Sequence, residues 1–242
     1  MIHLISSKCV KASDALTAAP REAGEDTLTW LGRHLGAGPG AALLLVGGRC
    51  QLAFRLRAAQ AHVRHDLLPS YWSHVMLLGR PARNLANTPV HEISLDPPSG
   101  FGFPAPRNGV QIGRLGTYRD PEAYPNVCVL RTPVDPANLV EPLQRFQKQR
   151  AVLDAVDLTV RWIAYAWGVG GSPNPLLEHH GMPSAAMIEV VFGAAGFDLT
   201  PGLESRASCP EAIWQAAKWW HEYYTDQQLA PLTGAYHCGH EY

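Results

Sequence analysis

A chain of 242 residues, 46% apolar and 17% charged, has the balance of a folded globular protein and enough length to bury a sizeable core. A formal net charge of −1, with no stripe of Lys and Arg interleaved with aromatics, excludes a general attraction to nucleic acid or to an anionic membrane. Five cysteines, Cys9, Cys50, Cys128, Cys209 and Cys238, form no complete disulfide framework and have no CxxC spacing. No stretch reaches the roughly 18 consecutive apolar residues of a membrane span. The start, Met1 to Lys8, lacks a basic region followed by a long apolar one. Synthesis in the cytoplasm without a signal peptide is expected, with export by a dedicated secretion route left open.

Residues 1–40 read as an N-terminal extension packed on the main domain, with Asp26 or Thr27 capping a short helix that carries Leu28, Leu31 and Leu35. The following Gly36-Ala-Gly-Pro-Gly40 has neither the Lys-Ser/Thr of a phosphate loop nor GxGxxG in a strand-turn-helix setting. The run Ala41–Val46 predicts a buried strand closed by Gly47 and Gly48. From Gln51 to Leu68 an amphipathic helix is expected, with Leu52, Phe54, Leu56, Ala59 and Val63 inward and the Arg and His positions wet. Then Ser70–Arg80 places a lone histidine, His74, where a loop after Pro69 becomes an apolar strand. That position holds a ring rigidly enough for a catalytic base and is equally compatible with a core histidine. The alternation in Val90–Leu95 predicts a partner strand in a hairpin. Glu92 then falls beside His74 in one register and in solvent in another.

Asp96–Asn108, rich in Pro, Gly and Phe, reads as a loop that walls a pocket. Gly109–Leu115 and Asn126–Arg131 complete a small, largely antiparallel sheet. Helical patterns follow, one stripe carrying Leu139, Leu143 and Phe146 and another Leu153, Val156, Val160, Ile163 and Trp167. A later helix, introduced by Pro183 and ended by Gly196, has Ser184 at its start, either as an N-cap or as a nucleophile beside the amides and dipole of the helix end. Cys209, before Pro210 at the head of an aromatic-rich helix, is a rival thiol with a lowered pKa or a buried structural one. Residues 41–230 are read as one domain and 231–242 as a disordered tail. In that tail His237, Cys238 and His240 lack the ligand count of a zinc site, so no metal and no cofactor are expected.

The pieces Ala42–Val46, Tyr71-Trp-Ser-His-Val75, His91-Glu92, Gly109-Val110, Val129-Leu-Arg131, Ser184–Gly196 and Asp198–Gly202 occur in an order that resembles one family. It is the circularly permuted branch of the NlpC-type papain-like peptidases and amidases, in which the histidine strand precedes the nucleophile helix. The resemblance implies an α+β papain-like fold with a small antiparallel sheet packed against helices, and a triad of Ser184 as nucleophile, His74 as base and Glu92 as orienting carboxylate. It implies hydrolysis of an amide or ester acyl bond, in a bacterial cell-wall peptide by preference, and, for a delivered toxin effector, an inhibitor or immunity protein as partner. The family's cysteine is here Ser184. A serine-using hydrolase, an inactive relative that binds a peptide or protein, and a Cys-to-Ser substitution each account for it.

Overall fold

Strand β2 (Ala42–Gly47), with all six residues buried, is the spine of the molecule. In the computed structural model, which describes residues 16–36, 40–96, 107–219 and 232–239, β2 lies at the centre of a mixed seven-stranded sheet. The other strands are β1 (Leu16–Ala18), β3 (His74–Leu78), β4 (Pro89–Glu92), β5 (Gln111–Arg114), β6 (Asn126–Arg131) and β7 (Thr233–Cys238). Their order is β1-β7-β6-β2-β3-β4-β5, antiparallel throughout except for the parallel β1–β7 pair. The helices of eight residues or more are α1 (Thr27–His34), α2 (Gln51–Ala59), α3 (Val140–Lys148), α4 (Ala155–Ala166), α5 (Pro183–Ala194) and α6 (Pro210–Trp219).

Both sheet faces are covered, and the pleat sorts the side chains between them. On one face Leu43, Leu45, Val75, Leu77, Cys128 and Leu130 pack under α2, α3, α4, α5 and α6. On the other, Leu44, Val46, Met76, Leu78, Val127 and Val129 meet Trp30 and Leu31 of α1 together with Leu115 and Tyr118. The N-terminal segment thus closes the second core, and Asp26 caps α1 by accepting from the amide of Thr29 at 2.8 Å. Two α+β layers follow directly from the double set of apolar positions.

Several expectations are corrected. The tail is a strand: β7 pairs with β6 along its whole length, Thr233 to Cys238, and carries β1 on its other edge. An unpaired sheet edge beside β6 provides the backbone partners that a polar tail sequence does not advertise. The helix after Gly48 is shorter than its apolar pattern, ending at Ala59, with Phe54 about half exposed at 47% and Arg57 buried at 1%. Arg57 is inward because its Nε donates to the carbonyl of Ser70 at 2.6 Å. In α4 the buried positions are Ala155, Leu158, Thr159, Trp162 and Ala166, whereas Val160 and the C-cap Trp167 are exposed. The indole of Trp162 turns that face inward by donating to the carbonyl of Gly181 at 2.7 Å. Trp220 and Tyr224, aromatic residues that follow Trp219 in the sequence, lie outside the described residues, as do Cys9, His240 and most of the 96–108 loop.

Among the described helices α5 is the most deeply buried, and within it Glu189 is 3% exposed. Its Oε1 accepts from the hydroxyls of Thr200 at 2.7 Å and Ser208 at 3.1 Å, tying the returning chain to the helix. Burial, opposed by those two hydrogen bonds, pushes its carboxyl from 4.5 up to about 7. Between these values the native state holds a proton that the unfolded state has released, so stability falls as pH rises through this window. The loss amounts to roughly 3 kcal/mol for this one group. Urea unfolding at pH 5 and pH 8 is expected to show that loss in the natural chain and to show it removed in Glu189→Gln, whose amide oxygen keeps both acceptor contacts.

Candidate functional site

The end of the sheet where β2 stops and β3 begins is shaped by close backbone approach. A Cβ at Gly47 would lie 1.9 Å from the carbonyl oxygen of Tyr71, so only glycine lets the 70–73 loop lie across the strand end. Asn126 holds the same carbonyl with its side-chain amide at 3.0 Å, and Ser73 Oγ accepts from the amide of Gly48 at 3.0 Å. Behind this loop sits a buried polar frame. Gln60 Nε2 donates to the carbonyl of Trp72 at 2.8 Å, Ser70 Oγ donates to Glu211 at 2.6 Å, and Gln60 Oε1 accepts from the amide of Glu211 at 2.8 Å. The chain enters β3 with little freedom, and His74 is its first residue.

His74 and Glu92 do meet. The β3–β4 register pairs Leu77 with His91 and Leu78 with Val90, which makes His74 and Glu92 diagonal neighbours on one face of the hairpin. His74 Nε2 and Glu92 Oε2 are 2.6 Å apart. The hydroxyl of Tyr118, a residue the sequence reading passed over, donates to the same carboxylate oxygen. Burial and the Glu92 charge hold the Tyr118 phenol well above its ordinary range, so it remains a donor at neutral pH. His74 Nδ1 has no hydrogen-bond partner among the described residues. The ring therefore has one nitrogen fixed by a carboxylate and the other open, which is the arrangement of a held general base.

Ser184 does not join this pair. Its hydroxyl donates to the carbonyl of Val75 at 2.6 Å and accepts from the amide of Ile93 at 3.3 Å. Continued past Leu77–His91, the same register would oppose Met76 to Glu92 and then Val75 to Ile93, so the hydroxyl is spliced between the two strands where they part. The geometry also separates Ser184 from His74 by face. Val75 and Leu77 point toward α5, whereas His74 shares its side of the pleat with Met76, Leu78 and Val90. The predicted serine–histidine contact is absent for this reason. The amides of Ser184 and Ala185, in the first turn of α5, have no acceptor among the described residues, and no side chain caps this helix.

A cavity of about 80 Å³ at the strand ends brings these groups to one space. Its lining includes Ser73, His74, Glu92, Tyr118 and Tyr124 on one side, Met182, Ser184 and Ala185 on the other, and Cys50 and Asp96 at an exposed rim. Cys209 is not a rival centre: the thiol is 1% exposed and burial pushes it up to about 12 rather than down. Among the described residues no group of three or more His, Cys, Asp or Glu side chains is arranged to hold a metal ion. Nor is any helix there long and apolar enough to cross a membrane. Comparison of the chain with protein-family models, with curated proteins and with solved structures gives no match.

Replacing Ser184 by Ala would leave the Val75 carbonyl and the Ile93 amide buried without partners. A loss of about 1–3 kcal/mol in urea unfolding is expected, whether or not activity changes. A variant as stable as the natural chain would remove the strand-bridging role.

Proposed function

We propose that the protein is a papain-like hydrolase that cleaves amide or ester acyl bonds in the cavity at the end of the sheet. The supporting observation is the His74–Glu92 pair at 2.6 Å, braced by Tyr118 and facing a cavity with its second ring nitrogen open. In such a step His74 Nδ1 removes the proton of the attacking group and later returns it to the leaving nitrogen or oxygen, while Glu92 holds the ring in place. The uncapped amides of Ser184 and Ala185 at the amino end of α5 are suited to the negative oxygen of a tetrahedral intermediate. The substrate class rests on the motif order alone: a bacterial cell-wall peptide, with the chain acting either in its own cell or as an antibacterial effector met by an immunity protein.

One observation favours a second reading, a domain that binds a peptide without cleaving it. The hydroxyl of Ser184 is fully engaged with backbone groups and is turned away from the base. The two readings separate on purified peptidoglycan and on p-nitrophenyl acetate. For the hydrolase, His74→Ala is expected to lower kcat/KM by about 100-fold or more and Glu92→Gln by a smaller factor, with both variants folded by circular dichroism. Turnover of neither probe by the natural chain, with retained binding of peptidoglycan fragments, would establish the binding domain instead.

A further inference from the structure

We propose that Cys50 is the nucleophile partnered by His74. This rests on the hydrolase reading and replaces Ser184 in it. Cys50 is exposed at the cavity that His74 and Glu92 line, and it is the N-cap of α2. Its sulfur accepts from the amide of Ala53 at 3.4 Å, so a backbone donor and the positive end of a nine-residue helix both face the sulfur. The base across the cavity has its outer nitrogen free for a proton, because Glu92 occupies the other one.

Placement on the fold distinguishes this thiol from the other candidates. Cys50 lines the cavity together with Tyr124, which packs edge-on against Tyr118 at 5.1 Å, and Tyr118 hydrogen bonds to Glu92. Tyr118 and Tyr124 lie on the His74 side of the sheet and Cys50 reaches the same cavity from the head of α2 at the strand ends, whereas the hydroxyl of Ser184 is tied to the backbone of Val75 and Ile93. Cys128 and Cys209 are buried at 0% and 1% exposure. A sulfur at the rim also meets an incoming acyl group without displacing any buried hydrogen bond, which an attack by Ser184 would require.

The reaction balances without any co-reactant besides water. His74 Nδ1 takes the Cys50 proton and the sulfur bonds to the acyl carbon, giving a tetrahedral oxyanion. Collapse breaks the carbon–nitrogen or carbon–oxygen bond of the substrate as His74 passes its proton to the departing amine or alcohol. Water, deprotonated by His74, then attacks the thioester, the carbon–sulfur bond breaks, and the thiol regains the proton. The products are a carboxylic acid and an amine or alcohol. A cavity of about 80 Å³ admits a small acyl group or the end of a peptide side chain rather than a bulky chain.

The test is alkylation of the intact natural chain with iodoacetamide at pH 7, read by peptide mass spectrometry, beside hydrolysis of p-nitrophenyl acetate and peptidoglycan. Cys50 is expected to react about 10-fold faster than Cys128 or Cys209 and to slow by a similar factor in His74→Ala. Cys50→Ala is expected to lose hydrolysis by about 100-fold or more while Cys209→Ala keeps it. Equal alkylation of Cys50 with and without His74, or full hydrolysis by Cys50→Ala, overturns the assignment and leaves the hydrolase reading standing. Reactivity of Cys50 that depends on His74 in a chain that turns over neither probe supports the thiol–imidazole pair and overturns the hydrolase reading.

Discussion

The pleat of β3 governs this molecule. Consecutive residues of a strand face opposite sides, so the step from His74 to Val75 divides the polar pair with Glu92 from the packing under α5. Val75 and Leu77 go under α5 and its neighbours, and His74 and Met76 go toward α1 and Tyr118. A one-residue slip in the β2–β3 register, which pairs Val46 with His74 and Leu45 with Val75, would carry the imidazole under the helices and the valine into the polar pocket. Both costs are avoided by the observed pairing, in which buried apolar residues from two sheet faces agree on one register.

Where β3 and β4 part, the backbone would lose hydrogen bonds in a region that water does not reach. Ser184 makes good that loss by supplying one donor and one acceptor to Val75 and Ile93. The gap that it bridges lets the diagonal His74–Glu92 pair form beside an open space instead of inside a closed ladder. Glycine has a matching role on the other side of β2. Gly47 admits the Tyr71 carbonyl, and at the lead into α5 a Cβ on Gly181 would lie 2.4 Å from the carbonyl oxygen of Ser208. These two close approaches fix the segments from which Ser73 and, on the other side, Met182 and Pro183 reach the cavity.

Electrostatics then distinguish the buried acids by their neighbours. Glu189, whose carboxylate accepts from two hydroxyls, is pushed by burial and by the Asp198 charge up to about 7. Glu211 is raised by burial, against the pull of Ser70, Gln215 and Arg64, and serves as a frame for the loop before β3. Glu92, by contrast, has both a phenol and an imidazole on the same oxygen. Of the three, only Glu92 lines the cavity with an imidazole beside it, which is why the proposed chemistry is assigned there.

Local sequence determined much of this. The strand of Ala42–Gly47, the strand Asn126–Arg131 with its expected ends, the Asp26 cap and the α5 helix from Pro183 follow from short-range rules: an unbroken apolar run, a side chain that satisfies a helix amide, a proline fit for a first turn. The hairpin between the His74 strand and the Glu92 strand was also legible, from an apolar run and an alternating one on either side of a turn, whereas the register that sets Glu92 beside His74 was not. Decisions between elements distant in sequence were not. That Ser184 bonds to strand backbone, that Tyr118 braces Glu92, that Cys50 shares the cavity and that the tail becomes β7 each depend on contacts across tens to hundreds of residues. Periodicity carries no information about such contacts. It reports which residues are buried, while the face on which each is buried, and therefore which side chains meet, is settled only when the strands pair and the helices pack against them.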